Sequence, residues 1–159
     1  MARQQLGEAG TEGVSVPGMA RQIIQSTGAT RTLKASESGA IVLLDSASGN
    51  VVTLPTAVEG LTFDFVQTVS VTSNASKVIT ASASEFLIGG VMSANLTVAA
   101  SGDFFVANGS THRAISQNGT DTGGLVGGWF RCTAISSTQW AITGCNCGSG
   151  TNADPFATS

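Results

Sequence analysis

Charge is the scarcest commodity in this sequence. Charged residues fill 11 % of its 159 positions, less than half the share of about a quarter found in ordinary soluble domains. The balance is slightly acidic, with a formal net charge of -3, and the seven Lys and Arg are scattered singly from Arg3 to Arg131. Binding phosphates needs clustered cations, so no nucleic-acid partner is expected. Long apolar runs are missing as well. The longest, Ala40 to Leu44, falls far short of the ~20 residues that cross a bilayer, so no membrane-spanning helix is expected. The opening Met1-Ala-Arg-Gln-Gln has no signal-like apolar stretch, which predicts a chain made in a cytoplasm without an export signal.

Tyrosine is absent, histidine occurs once and cysteine three times. Cys132, Cys145 and Cys147 are an odd number in a chain made under reducing conditions, so no disulfide framework is expected. Zinc takes four ligands, and only His112 could complete a set with these three. There is no C-x₂-C spacing, so the cysteines are expected to be small packing residues and no metal site is predicted. A Ser-His-Asp arrangement would have to use His112 with Asp103 or Asp121, but the sequence has no G-x-S-x-G elbow. No acidic pair stands out for glycoside hydrolysis. Gly123-Gly124-Leu-Val-Gly127-Gly128 lacks the Lys-Ser/Thr ending of a phosphate loop and precedes a strand, so it is expected to be a wide turn. The four N-x-S/T triplets beginning at Asn74, Asn95, Asn108 and Asn118 follow from composition. The expectation is a protein that is not an enzyme and carries no cofactor.

What is present in quantity is Ser, Thr and Gly, alongside 42 % hydrophobic residues. Disordered chains combine low hydrophobicity with high net charge, and this one has neither. From Thr32 onward, short apolar or alternating runs are separated by turn residues such as Gly49-Asn50, Gly89-Gly90, Asn108-Gly109 and Asn118-Gly119. Strands are predicted near 40–45, 51–54, 61–69, 77–80, 86–88, 96–99, 103–106, 112–117, 129–134 and 140–143. Short strands with turns every 8–12 residues or so predict an all-β fold, an antiparallel β-sandwich or jelly-roll-like barrel. In Leu61-Thr-Phe-Asp-Phe-Val, residues 61, 63 and 65 share one face. Trp129–Ala134 and Gln139–Thr143 form a hairpin around Ser136-Ser137-Thr138. Phe63, Phe65, Trp140 and Ile142 are expected in the core.

The chain divides into an extended N-terminal arm over 1–30, a β-domain over 31–143 and a C-terminal tail over 144–159, whose one aromatic, Phe156, could dock. In the arm, Leu6, Val14, Val16, Met19, Ile23 and Ile24 are isolated anchors, while Arg3 and Arg21 are cations free to pair with carboxylates. Ala20–Gln25 has room for one or two helical turns, too few to be stable alone.

The run Ser38-Gly-Ala-Ile-Val-Leu-Leu-Asp-Ser-Ala-Ser-Gly-Asn-Val-Val-Thr-Leu-Pro55 and the following Gly60-Leu-Thr-Phe-Asp-Phe-Val resemble small structural proteins of tailed bacteriophages infecting aquatic and cyanobacterial hosts. Asn118-Gly-Thr-Asp-Thr-Gly-Gly-Leu-Val-Gly-Gly-Trp129, Gln139-Trp-Ala-Ile-Thr-Gly and Asp154-Pro-Phe-Ala carry the same resemblance, which covers roughly residues 30–158. It implies a capsid decoration (cement) protein: a homotrimer on the virion surface, bound to the major capsid protein. The arm residues Arg3, Leu6, Val14, Val16, Met19, Arg21, Ile23 and Ile24 would then be the capsid-binding set. The alternative is a head or tail fibre module that binds host-surface carbohydrate.

Overall fold

The computed structural model describes residues 20–25, 29–97 and 101–159. Twelve strands occur among the described residues: β1 (Ile23–Gln25), β2 (Thr30–Thr32), β3 (Ile41–Leu44), β4 (Val51–Thr53), β5 (Thr62–Gln67), β6 (Ser76–Ile79), β7 (Phe86–Asn95), β8 (Gly102–Asn108), β9 (Ala114–Gln117), β10 (Trp129–Ala134), β11 (Gln139–Gly148) and β12 (Phe156–Ala157). One 3-10 turn, Ala35–Glu37, joins β2 to β3. The strands form a large sheet, in the order β1-β3-β5-β10-β11-β7-β8, and a smaller one, β12-β9-β6-β4-β2.

Alternation of side chains builds the core between them. In β5 the burial alternates residue by residue, putting Phe63, Phe65 and Gln67 inside, as the period of two demands. Phe65 stacks on Phe130 of β10 with ring centroids 5.0 Å apart, and Phe63 leans on Trp140 of β11 at 6.3 Å. Val52, Val78, Ile115 and Phe156 meet them from the smaller sheet. All four expected core residues, Phe63, Phe65, Trp140 and Ile142, are buried. The Trp140 indole N–H donates to the buried Glu85 carboxylate at 3.2 Å, and the Ala57 N–H donates to the same oxygen at 3.2 Å.

The all-β sandwich is as expected, but the pairing is mixed rather than purely antiparallel. The first six strands change sheet at every step. Hence β1, β3 and β5 run parallel in the large sheet, as do β2, β4 and β6 in the small one. A chain that crosses the sandwich edge at each turn spaces its strands just as a chain of hairpins does, so the turn pattern could not separate the two. Two antiparallel hairpins follow, β7–β8 and β10–β11. The second enters between β5 and β7, antiparallel to the former and parallel to the latter over ten residue pairs.

The strand expected near 96–99 is not seen, since β7 ends at Asn95 and residues 98–99 lie outside the described residues, and three further local expectations change. Gly89-Gly90 is not a turn but the middle of β7. Gly89 has φ +110°, and a side chain there would run into the Ile142 carbonyl, so the residue bends the strand and does not end it. The stretch from 144 is no tail: β11 runs on to Gly148, and β12 pairs with β9 through Ile115–Phe156. Residues 23–25 and 30–32 are strands where a helical turn and a boundary were expected. The backbone of residues 23–25 finds its partner in β3, a contact no local pattern announces.

Candidate functional site

The inner faces of both sheets are filled, so binding chemistry has to sit on an outward surface, and the large sheet offers one. Register places one residue from each of six strands in a row across it: Leu43, Val66, Trp129, Cys145, Met92 and Phe104. At ~4.8 Å between strands the row is roughly 24 Å long. All six side chains are apolar or weakly polar, where a sheet face meeting only water would alternate to polar residues. Trp129 is 48 % exposed, Met92 45 % and Phe104 62 %.

The next row holds charge. Asp64 of β5 lies opposite Arg131 of β10, and its two oxygens accept from the Arg131 Nε and Nη2 at 2.5 and 2.8 Å. Arg21 reaches in from the chain just before β1 and donates Nη1 to Asp64 Oδ2 at 2.5 Å. Its remaining nitrogens bond the carbonyls of Gly39 and Ala40 at 2.6 and 3.2 Å. Two guanidiniums around one carboxylate leave a local excess of positive charge on an acidic chain. Between this cluster and Trp129 is a depression of about 190 Å³, lined by Ile41, Asp64, Phe65, Val66, Trp129 and Arg131. It is smaller than a typical small-molecule pocket of roughly 300–1,000 Å³ and suits an inserted side chain.

The Arg131 hydrogen bonds hold the Asp64 carboxyl below its ordinary value; partial burial opposes them, and Arg21 adds to the lowering. A carboxyl depressed in the folded state stabilises the fold above its unfolded pKa, and that stabilisation disappears as pH falls through the folded value. Half-exposed arginines limit the effect to about 1 kcal/mol. Asp64→Asn is therefore expected to cost about that much at pH 7 and less at pH 2, measured as the difference in urea midpoint from wild type. An equal deficit at both pH values would show that packing, not charge, is what the substitution removed.

Of the residues expected to bind a partner, Arg3, Leu6, Val14, Val16 and Met19 lie outside the described residues. Arg21 is not a free cation but a partner of Asp64. Ile24 is a core residue, and Ile23 is exposed at the outward edge of the large sheet. His112 accepts the Asn108 N–H through Nδ1 at 3.3 Å and stacks on Phe156, which is a structural use. Burial, with a smaller contribution from Asp64, pushes the Cys132 thiol far up, so it stays protonated and inert. Partial burial and neighbouring Cys145 raise Cys147 as well. Among the described residues no three of His, Cys, Asp and Glu are grouped so as to hold a metal ion. Glycines 123 and 124 belong to a loop pinned to its surroundings, with Gly123 O accepting from Gly119 N–H and Gly124 O from Val71 N–H.

Sequence reasoning missed Trp129, Met92 and Phe104 as surface residues, while the alternation of β5 already put Asp64 on the face opposite Phe63 and Phe65. A signal existed for Trp129: it shares parity with Arg131, and the charge marks that face of β10 as outward. Comparison with protein families, with curated proteins and with solved structures finds no match to this chain.

Proposed function

We propose that the chain is a structural virion protein, without enzymatic activity or cofactor, that binds the major capsid protein on the outer surface of a bacteriophage capsid and stabilises the expanded shell. The observation that carries this is the apolar row on the large sheet, with Arg21 and Arg131 beside it. Aromatic residues, Met and Arg are the types enriched where proteins meet, and contiguous exposed apolar surface marks such places. The resemblance of residues 30–158 to small structural proteins of tailed phages supports the same function. A contact available only on the expanded shell stabilises that state by mass action. Assembly as a homotrimer on a threefold or quasi-threefold axis would multiply a modest contact into high avidity. The protein would be made in the host cytoplasm and end on the capsid surface.

Residues 1–19 join the described chain beside Arg21, next to this face, so arm and face can bear on one partner. Deleting residues 2–25 would strip Ile24 from the core; deleting 2–19 leaves both Ile24 and the Arg21–Asp64 pair in place. The shorter deletion is expected to leave thermal unfolding unchanged and to weaken binding to expanded, undecorated capsids by at least about tenfold, or ~1.4 kcal/mol. Wild-type occupancy by the truncated chain would assign adhesion to the sheet face alone. Failure of the full chain to bind such capsids would end the proposal.

One observation favours the fibre alternative. Trp129, half exposed beside Asp64 and Arg131, offers an aromatic face next to polar groups, as a sugar ring requires. Antibody labelling of virions at the tail tip, with a bare capsid face, would select that function.

A further inference from the structure

We infer that β8 is a self-pairing edge through which two copies of this chain join their large sheets across a two-fold axis. β8 is the last strand of its sheet, with one side unpaired among the described residues. It is seven residues long, Gly-Asp-Phe-Phe-Val-Ala-Asn, and largely exposed. It lacks the Lys, Pro or bulge with which edges are usually blunted. Its hydrogen-bond parity leaves the right groups free. The Gly109 N–H bonds the Leu87 carbonyl at 2.9 Å, and the Asn95 N–H bonds the Ser101 carbonyl at 3.0 Å. In an antiparallel ladder such pairs alternate, so odd-numbered residues of β8 face β7. The N–H and C=O of Phe104 and Val106 then point to the open side. The even-numbered Asn108 fits this rule, since its N–H goes to His112 and not to β7.

This edge is complementary to itself. An antiparallel pair centred on Phe105 sets Phe104 opposite Val106 of the partner subunit, and Val106 opposite the partner's Phe104. Each couple exchanges both backbone bonds and forms an aromatic–β-branched contact on the outward face, a favourable cross-strand combination. The Phe104 ring lies over Gly90, where a Cβ would come within 2.7 Å of it, so it leaves the edge open. Charge is compatible with this register. The one charged residue, Asp103, would face the partner's Ala107, and the two Asp103 positions would be about 14 Å apart, beyond the screening length of ~8 Å. The seam is about 23 Å long and buries less than the ~800 Å² per partner of a standard interface. Main-chain bonds supply the affinity, as in strand addition generally, and micromolar association is expected.

The inference goes beyond the capsid proposal and does not depend on it. Two-fold pairing cannot close a ring of three, so it would make dimers, or link one trimer to another. Sedimentation equilibrium of the full chain at ~100 µM, with no capsid present, should give an even number of copies. Val106→Pro removes an outward N–H without touching the β7 ladder, and Phe104→Lys places a charge at the seam. Each should halve the mass while the circular dichroism spectrum stays unchanged. A monomer or a trimer for the unaltered chain would overturn the inference, as would an even-numbered assembly that survives both substitutions.

Discussion

Replacing Trp140 with alanine is expected to lower the melting temperature by roughly 10–15 °C. The indole is fully buried between the sheets and packs against Phe63. Truncating a buried Trp costs about 3–5 kcal/mol, because the surrounding strands cannot close the cavity. In a chain of this length each kcal/mol shifts the midpoint by about 2–4 °C. A second loss compounds the first: Glu85, 2 % exposed, would keep only the Ala57 N–H on the oxygen that both groups now share. Trp140→Phe isolates that part, since it keeps most of the volume and removes the N–H, and should cost about 1–3 kcal/mol. Calorimetry on both variants separates cavity from hydrogen bond. Equal midpoints for the two would mean that the cavity contributes nothing.

On the proposed capsid function, Trp129→Asp is expected to do the reverse, sparing the fold and abolishing attachment. Trp129 lies on the outward face, so its loss should change stability by less than about 1 kcal/mol. At an interface, a central Trp typically carries 2 kcal/mol or more, roughly 30-fold in affinity. In the proposed homotrimer, multiplied over three copies held together, the deficit would approach ~10⁴-fold. Occupancy on expanded capsids, counted per threefold position, should fall to background while the melting temperature holds. Full occupancy by this variant would remove the apolar row from the capsid contact.

Much of the sandwich was legible because alternation is a local property. Thr62–Gln67 and Trp129–Ala134 lie where their patterns put them. What escaped was set by distant partners. Ile23-Ile24-Gln25 has no alternation to read and becomes a strand only because β3 lies beside it. Gly89-Gly90 has the composition of a turn, yet parallel neighbours at Ile142 and Thr143 keep it extended. Gly144 suggested a loosening chain. Its true constraint is the close approach of Phe130, whose Cα would lie 2.5 Å from any Cβ at that position. The candidate site escaped for a related reason. Leu43, Val66, Trp129, Cys145, Met92 and Phe104 are scattered over about a hundred positions, and only the order of strands in the sheet brings them into one row.

The entry of the β10–β11 hairpin between β5 and β7 also fixes the order in which a growing chain can complete itself. Until residue 148 has left the ribosome, β5 and β7 have no neighbours to separate them, and both present bare edges lined with Phe, Leu and Val. The last third of the polypeptide is therefore the wedge that closes the sheet: its ten parallel pairs with β7 join residues 53 apart in sequence, and its pairs with β5 join residues 63 to 71 apart. Such non-local closure folds in milliseconds to seconds, not microseconds. A nascent chain halted near residue 128 would be a sticky intermediate rather than a smaller domain.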